Sequence, residues 1–369
     1  MAAEDTSPEG VARTLLHEAV ALKRDENLTI ETWSHTLPYA IACVVEGRRI
    51  GASPLLHLED EAAYWKAVDS GVPPKQIGRV GAHEWAALAK TNVYVFFPGP
   101  ADFPRLNNLP AATRAALQGY NSDWYRRAKL ARIRGVRSMI GYASDPRAEQ
   151  FGVSAAAWRA QLARATTGTE YGAVRADAKR VAAKLRKGKQ LRVTAANGTD
   201  LSLKLRGRIP IADDGAIGPE DVRAGNNVAV APPGYVAVAV DERSAEGIAI
   251  ANRPTFWRKG RLEGGQWEAH QGRLANHWYT EGQTIFDTSF EEAPKGKDVL
   301  GFFSIGLNPA LDPAVPMVED QEAGAVTIGL GGNAGYGGTN RCPFLTWIVV
   351  GEATVAVDGT PLSDRGKVL

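Results

Sequence analysis

The sequence predicts a two-domain protein of the α/β class (α+β overall), and three observations support this prediction. Its 369 residues suit about two domains of ordinary size. Up to Gly188, short apolar runs alternate with helical patterns, which is typical of an N-terminal α/β domain with a mostly parallel sheet. After Gly188 the runs become strand-like. We therefore expect an N-terminal α/β domain over residues 1–188 and a strand-rich C-terminal domain over residues 189–369.

The N-terminal elements follow from periodicity and from their boundary residues. "PEGVARTLLHEAVAL" (8–22) has an apolar stripe at helical spacing, and "LTIETW" (28–33) alternates like a strand. "LPYAIACVVEG" (37–47) returns to helical spacing and reaches a candidate helix end at Gly47. "NVYVFFPGP" (92–100) is a near-continuous apolar run stopped by Pro and Gly, which predicts a buried strand of a parallel sheet.

Two helices precede the change of pattern, and strands follow it. The first helix covers residues 154–168 from a Ser154 N-cap, and the second covers 171–188 with Gly188 as its C-cap. An Asn-Gly pair between two alternating runs then predicts a hairpin. The later strand-like segments predict a curved antiparallel sheet or a partial barrel; they are "YVAVAV" (235–240), "FFSIGL" (302–307), "AVTIGL" (325–330), "TWIVVG" (346–351) and "ATVAVDG" (353–359).

Charge and composition limit the kinds of partner that the protein has. With 43 basic and 41 acidic residues the net charge is +2, so no long-range field favours nucleic acid or an anionic membrane. The basic segment 179–192 is interpreted as the solvated face and last turn of a helix. No apolar run is long enough to span a bilayer, and the start lacks the apolar core of a signal peptide. Cys43 and Cys342 cannot form a disulfide framework, so we expect a cytoplasmic protein.

The segment "GGNAGYGGTNRCPFLTW" (331–347) is rich in glycine and invites comparison with a phosphate-binding loop. Such a loop leads into a helix, whereas this segment leads into a strand, so a tight turn is the better interpretation. Cys342 lies within the segment, and no residue close to it in sequence supplies the base that a cysteine nucleophile needs. A small apolar role therefore suits Cys342 better.

Acidic and histidine residues provide the other candidate ligands. The run "VEDQEAG" (318–324) contains Glu319, Asp320 and Glu322, which could supply hard oxygen ligands to a metal or could form a solvated loop. His270 and His277 are seven residues apart and do not have the i, i+4 spacing of a tight metal site, so we interpret them as ordinary histidines.

Several segments together resemble the aminopeptidase T family of metallo-aminopeptidases, in the same order and with similar spacing. The likeness is close in the C-terminal half and weaker in the N-terminal half. The segments are "NGTDLSLKLRGR" (197–208), "ADDG" (212–215), "NNVAVAPPGYVAVAVDERSAEG" (226–247), "FSIGLNPAL" (303–311), "QEAGAVTIGLG" (321–331), "YGGTNRC" (336–342) and "VDGTPLSDRG" (357–366).

The resemblance implies a homodimer of two-domain subunits. Each C-terminal domain of that family holds a pair of metal ions, usually zinc or cobalt, which activate water to cleave an N-terminal residue from a peptide. A relative of the family instead uses one iron ion, held by two histidines and one aspartate, to open dihydroxypyridine rings with dioxygen.

The metal ligands of the family are mostly replaced in this chain. The residues at the ligand positions are Tyr235, Phe302, Glu322, Thr327, Leu345 and Trp347. Asp320 competes with Glu322 for its position, and Tyr336 corresponds to a tyrosine near the last ligands. Zinc and iron need three or four N, O or S donors. We therefore expect the metal site to be lost and no cofactor to be present, where the family would imply zinc, cobalt or iron.

The replacements predict an aromatic-walled pocket for a small-molecule substrate. Its expected substrate-binding residues are Phe302, Thr327, Asn340, Cys342, Leu345 and Trp347. Glu322 would be the catalytic acid–base group, with a pKa raised by desolvation in an apolar wall, and Tyr336 or Tyr235 would assist it. The substrate would be aromatic, heteroaromatic or aminoacyl, and the reaction hydrolase-like or a rearrangement.

Two other hypotheses stay open at this stage. The first keeps a metal through relocated ligands, such as His270, His277 and the acids of residues 319–322, in a peptidase or a ring-cleaving iron dioxygenase. The second is a catalytically inactive scaffold that acts as a binding protein or dimer partner.

Overall fold

The computed structural model describes residues 5–257 and 259–369, which form two compact units. The first unit is the described part of Met1–Gly168 together with Gly215–Pro232, and the second is Thr169–Asp214 together with Pro233–Leu369. A parallel sheet lies in the first unit and antiparallel sheets lie in the second, which confirms the predicted fold class. Residue 188, where we expected the domain boundary, lies inside the second unit.

The strands of the first unit are β1 (Asn27–Trp33), β2 (Ser53–Glu59), β3 (Val93–Phe96), β4 (Arg134–Ser138) and β8 (Val228–Ala231). In this part of the described chain they form one sheet in the order β2-β1-β3-β4-β8, with parallel pairing throughout. Val93 and Val95 of β3 are completely buried, as the apolar run at 92–100 predicts for an inner strand covered on both faces.

The helices of the first unit are α1 (Pro8–Thr14), α2 (Leu37–Ile50), α3 (Glu61–Asp69), α4 (Pro74–Ile77), α5 (Ala82–Leu88), α6 (Phe103–Asn108), α7 (Ala111–Leu117), α8 (Asn121–Leu130), α9 (Asp145–Phe151), α10 (Ala155–Thr167) and α12 (Pro219–Ala224). A π-helical turn, Leu15–Ala19, continues α1. Ser154 caps α10 as predicted, since its hydroxyl accepts a hydrogen bond from the amide of Ala157.

Helix α2 does not end at Gly47, so that part of the prediction is wrong. A Cβ at this position would lie 2.8 Å from Cδ2 of Leu28 on β1, so the glycine allows the helix to pack closely on the strand. The helix ends at Gly51, whose φ of +92° is the left-handed conformation typical of a C-terminal cap.

Strand β8 is the main departure from the predicted organisation. It comes after residue 188 and yet pairs in parallel with β4, where Gly135 opposes Val228 and Ser138 opposes Ala231. Residues 228–231 therefore complete the sheet of the first unit, whereas the sequence predicts one continuous C-terminal domain over residues 189–369.

The second unit begins with helix α11 (Tyr171–Lys187), and Gly188 is its C-cap as predicted. Its other helix in the described chain is α13 (Gln283–Glu291). The strands are β5 (Gln190–Thr194), β6 (Asp200–Lys204), β7 (Ile211–Asp213), β9 (Tyr235–Ala239), β10 (Glu246–Ile250), β11 (Thr255–Trp257), β12 (Gly260–Leu262), β13 (Gln266–His270), β14 (Arg273–Trp278), β15 (Leu300–Gly306), β16 (Val326–Gly331), β17 (Leu345–Val350), β18 (Thr354–Val357), β19 (Thr360–Asp364) and β20 (Lys367–Val368).

Strands of the second unit pair in antiparallel fashion in two larger sheets. One has the order β14-β13-β10-β6-β5-β18-β19-β20, and the other, which we call the site sheet, has the order β17-β16-β15-β9-β7. β11 and β12 pair separately. The hairpin predicted at Asn197-Gly198 is confirmed, because β5 and β6 pair on either side of it and Gly198 has a φ of +97°.

The apolar core of this unit lies between its two larger sheets. Leu191, Val193 and Leu201 come from the first sheet, and Phe303 and Ile328 come from the site sheet. These residues are 0 to 1% exposed, so one face of the site sheet is buried in the core of the unit. No helix in the described part of the chain is long and apolar enough to cross a bilayer.

Candidate functional site

The side of the site sheet that faces away from the core carries the predicted site residues. Phe302 opposes Gly329, which opposes Trp347, and Thr327 opposes both Ser304 and Val349. Because alternate residues of a strand point to the same side, this register places most of the family's ligand positions on one face. The five positions are Tyr235, Phe302, Thr327, Leu345 and Trp347.

An aromatic stack covers the middle of this face. The rings of Phe302 and Tyr336 lie 4.0 Å apart between centroids and are tilted by 18°. Gly329 makes room for the stack, since a Cβ there would lie 1.8 Å from Cε1 of Phe302. The sequence predicts an aromatic-walled cavity here, and the structure has an aromatic pair, Phe302 with the ring of Tyr336 packed against it.

Glu319 is the acid most closely associated with this wall. It is 1% exposed, and its Oε1 accepts a hydrogen bond of 3.3 Å from Nε1 of Trp347 and one of 3.1 Å from the amide of Phe256. Its Oε2 has no hydrogen-bond partner. Burial raises the pKa of Glu319, and the neighbouring Asp320 raises it further.

Asp320 and Tyr336 are part of the same electrostatic group. Burial raises the pKa of the Asp320 carboxyl, and it also raises the pKa of the Tyr336 phenol, to which the charge of Asp320 adds. The acid pair Glu319 and Asp320 thus lies where negative charge is poorly solvated, beside a phenol that stays protonated.

Further buried polar atoms at and near this face lack partners. The hydroxyls of Ser304 and Thr327, on residues 2% and 1% exposed, face each other across β15 and β16 without a hydrogen bond. Oε1 of Gln321, next in sequence to the acid pair, is also without a partner. Buried polar groups are normally hydrogen-bonded, so this concentration is typical of a ligand site.

Glu322, the predicted catalytic acid, is held in an ion pair. Nε and Nη2 of Arg253 bind its two carboxylate oxygens at 3.2 and 3.1 Å, and both side chains are more than 80% buried, at 18% and 15% exposure. A guanidinium that binds both oxygens of a carboxylate forms a strong and directional ion pair. The expectation of an apolar wall around Glu322 is therefore wrong, and the acid in an apolar wall is Glu319.

The glycine-rich segment forms a turn that donates hydrogen bonds to the carboxylate of Glu242. Oε1 of Glu242 accepts hydrogen bonds from the side chain of Asn333 at 3.1 Å and from the amide and hydroxyl of Thr339 at 3.0 and 2.8 Å. Arg208 binds the other oxygen of Glu242 at 2.5 Å. Burial opposes ionisation of Glu242, and these donors overcome it, so its pKa lies below the ordinary value.

Asn340 and Cys342 are both expected to bind substrate, but in the structure their hydrogen bonds stabilise this turn. The amide group of Asn340 donates to the carbonyls of Gly296 and Gly331, both at 2.8 Å, and its oxygen accepts from the amide of Cys342 at 3.1 Å. The thiol of Cys342 lies 3.6 Å from the carbonyl of Pro294. Both side chains therefore bind backbone carbonyls of their own unit, which indicates a structural role.

The histidines of the relocated-ligand hypothesis bind separate carboxylates. Nδ1 of His270 lies 3.0 Å from Glu246, and Nε2 of His277 lies 2.7 Å from Asp287. In residues 5–257 and 259–369, no group of three or more His, Cys, Asp or Glu side chains could hold a metal ion. The side chains at the ligand positions of the aminopeptidase T family therefore do not fit its zinc, cobalt or iron.

A separate groove of about 330 Å³ lies at the end of the other sheet, near the β5–β6 turn. Asn197, Asn252, Glu352 and Arg365 are among its lining residues. It contains none of the predicted site residues. None of its lining residues carries a buried polar atom without a partner, unlike the residues on the site sheet.

The sequence predicts Glu319 only as one of several possible metal ligands, because the acidic run 318–324 has the composition of a solvated loop. One indication was available: Val318 directly precedes Glu319, and a Met-Val pair in an otherwise polar loop favours local burial. The partners that bury Glu319 come from residues 256 and 347, far away in sequence, so no local pattern predicts them.

Comparison with solved structures shows the same fold in two enzymes. Wild-type AmpT from Thermus thermophilus aligns with a TM-score of 0.70 and 18% identity, over 98% of each chain. The 2,5-dihydroxypyridine dioxygenase from Pseudomonas putida KT2440 aligns with a TM-score of 0.64 and 14% identity, over 98% of this chain and 96% of the other. No family model and no curated protein sequence matches the chain. At these identities the likeness establishes the aminopeptidase T-like fold and nothing further.

Proposed function

We propose that the protein is an enzyme that acts on a small aromatic, heteroaromatic or aminoacyl molecule by acid–base chemistry at the outer face of the site sheet. Glu319 is the proton-transferring residue, and Asp320 is the acid coupled to it. The observation that carries the proposal is the unpaired Oε2 of a fully buried Glu319 beside an aromatic wall. Such groups are concentrated at catalytic sites.

The geometry gives each group a role. Trp347 and the amide of Phe256 hold one carboxylate oxygen of Glu319 and leave the other for a substrate. A raised pKa keeps a carboxylic acid partly protonated near neutral pH, so it can donate a proton to a leaving group and recover one from water. The hydroxyls of Ser304 and Thr327 bind polar substituents of the substrate.

The ring of a substrate takes the place that Tyr336 has against Phe302. Tyr336 lies between Gly335 and Gly337, and an added Cβ at Gly335 would meet no atom within 4 Å. The backbone beside Tyr336 is therefore open at Gly335, while the ring itself is stacked on Phe302 and has to be displaced by the substrate. Displacing the ring opens the face to Glu319 and Thr327.

The proposal is tested by turnover of two probes, leucine 4-nitroanilide for aminoacyl hydrolysis and 2,5-dihydroxypyridine for ring chemistry. We expect conversion of at least one, with a rate that falls by about a hundredfold or more in Glu319→Gln. Glu281→Gln, which alters an exposed acid of the same unit, should keep the full rate. Equal rates in the wild type and Glu319→Gln would overturn the assignment, as would the absence of turnover by the folded wild type.

A non-catalytic binding protein is a second candidate, and one observation favours it. The close Phe302–Tyr336 stack fills space that a substrate would need. Under this alternative the stack is permanent packing. Replacing Tyr336 by Ala would then lower the free energy of unfolding by about 3 kcal/mol or more, whereas a displaceable ring would cost much less.

A further inference from the structure

The acid pair of the site has no cation beside it in the described part of the chain. Neither Glu319 nor Asp320 forms a salt bridge there. Arg253 donates to the carboxylate of Glu322 through Nε and Nη2 and to the carbonyl of Asn252 through Nη1. The groups that face Glu319 are neutral donors, the indole of Trp347 and the amide of Phe256. The unpaired oxygen is therefore an acceptor for a donor that residues 5–257 and 259–369 do not supply.

A buried carboxylate becomes stable either by taking up a proton or by pairing with a positive charge. The neighbouring titratable group, Tyr336, cannot supply that charge, because a phenol is neutral or negative. The remaining unpaired atoms include two hydroxyls and the amide oxygen of Gln321, all of which accept hydrogen bonds. The described residues of this face thus offer several hydrogen-bond acceptors and no positive charge.

The rings on the same face suit an organic cation. Trp347 donates to Glu319, and Phe302 on the same face offers a ring surface once Tyr336 is displaced from it. Aromatic faces attract cations and also stack on flat rings. A metal ion would instead need three or more ligands of the His, Cys, Asp or Glu type, and residues 5–257 and 259–369 contain no such group.

We infer that the site selects a flat organic cation, an amine or amidine carried on an aromatic ring, and rejects carboxylate ligands. The positive group pairs with Oε2 of Glu319 and with Asp320, while the ring lies against Phe302 and Trp347. This inference rests on the site proposed above and adds the charge of its ligand. It does not require that the protein turn the ligand over.

The test uses three probes with one ring and different charges: benzoate, benzamide and benzamidine. Binding of each to the full chain is measured by titration calorimetry at neutral pH, in two buffers with different heats of ionisation. We expect benzamidine to bind at least about tenfold more tightly than benzamide, and benzoate not to bind. Benzamidine should also displace a proton into the buffer, because the cation favours the ionised acid pair.

Variants of the acid pair locate the effect. In Glu319→Gln and Asp320→Asn, benzamidine should lose its advantage over benzamide, while in the control Glu281→Gln it should keep it. Circular dichroism of each variant establishes that it is folded. If Glu319→Gln does not fold, Asp320→Asn and the proton release of the wild type decide the question.

Several results would overturn the inference. They are equal or tighter binding of benzoate, no binding of benzamidine at millimolar concentration, and a larger stabilisation by zinc or magnesium chloride than by benzamidine. Failure of the enzymatic proposal is recognised separately. If the protein prefers benzamidine but converts neither test substrate, catalysis is refuted and the inference about the ligand's charge stands. If the protein converts a test substrate but prefers benzoate, the enzymatic proposal stands and the inference is refuted.

Discussion

The indole Nε1 of Trp347 donates a 3.3 Å hydrogen bond to Oε1 of Glu319, which joins strand β17 to the loop before β16. The family resemblance predicts an aspartate ligand at the position of Trp347. The indole here donates a hydrogen bond instead, and the carboxylate that accepts it belongs to Glu319.

Stability should fall as the pH rises, because of Glu319. Burial raises its folded-state pKa above the unfolded value, so the folded chain retains a proton that the unfolded chain has lost. The contribution is complete below about pH 4 and is lost as the pH rises through the folded pKa, at no more than about 1.4 kcal/mol per pH unit. Urea unfolding from about pH 5 to about pH 9 measures it, and Glu319→Gln should flatten the profile.

Glu242 should produce the opposite pH dependence. Its folded pKa is lowered, in spite of burial, by Arg208 and by the donors of the glycine-rich turn. Its contribution is therefore present above the ordinary carboxyl pKa of about 4 and is lost as the pH falls through the folded value. Glu242→Gln should reduce acid sensitivity at the cost of stability at neutral pH. A profile below about pH 4 that is unchanged by the substitution would contradict this.

Trp347→Phe should remove a donor while keeping most of the ring. We expect a loss of about 1 kcal/mol in the free energy of unfolding. The pKa of Glu319 should also rise further, since the indole hydrogen bond lowers it. The pH dependence of urea midpoints reports both effects. Trp278→Phe is the matched control, because Trp278 is 55% exposed, and its profile should match the wild type.

Gly329→Ala should disrupt the aromatic stack. The new Cβ would lie 1.8 Å from Cε1 of Phe302, whose side chain is buried and has to rotate or shift. Overpacking of this kind costs about 1–3 kcal/mol, and the near-ultraviolet dichroism of the stack should change. Gly335→Ala is the control, since its Cβ meets no atom within 4 Å. Equal stability of the two variants would show that the stack is loose.

Arg253 and Glu322 should be energetically coupled. Removing one partner from a largely buried, bidentate pair leaves the other charge unpaired. Arg253→Met and Glu322→Gln should each lower the free energy of unfolding by about 2 kcal/mol or more, and the double variant should lose less than the sum. A double-mutant cycle measures the difference. An additive result would mean that the pair does not contribute to stability.

The sequence predicts much of the fold because the relevant information is local. The Asn197-Gly198 hairpin, the Ser154 cap and the apolar run of β3 each depend on a few adjacent residues, and each is found in the structure. Helix α2 is the counterexample. Its passage through Gly47 depends on close packing against Leu28, a contact between elements that periodicity does not report.

The family resemblance predicts a common pocket for Phe302, Thr327 and Trp347. The register of the site sheet places these three residues on one face. The surroundings of Glu319 and Glu322 could not be predicted from the sequence, because their partners, Phe256 and Arg253, are far away in the chain. Two acids three residues apart thus have opposite environments.

Strand β8 has a consequence for how the chain is made. Residues 228–231 complete the sheet of the first unit, so a ribosome must synthesise more than 40 residues of the second unit, 169–214, before that sheet can close. A fragment that ends at residue 188 lacks this strand and exposes the edge of β4. The sheet of the first unit can therefore be completed only after part of the second unit has been synthesised.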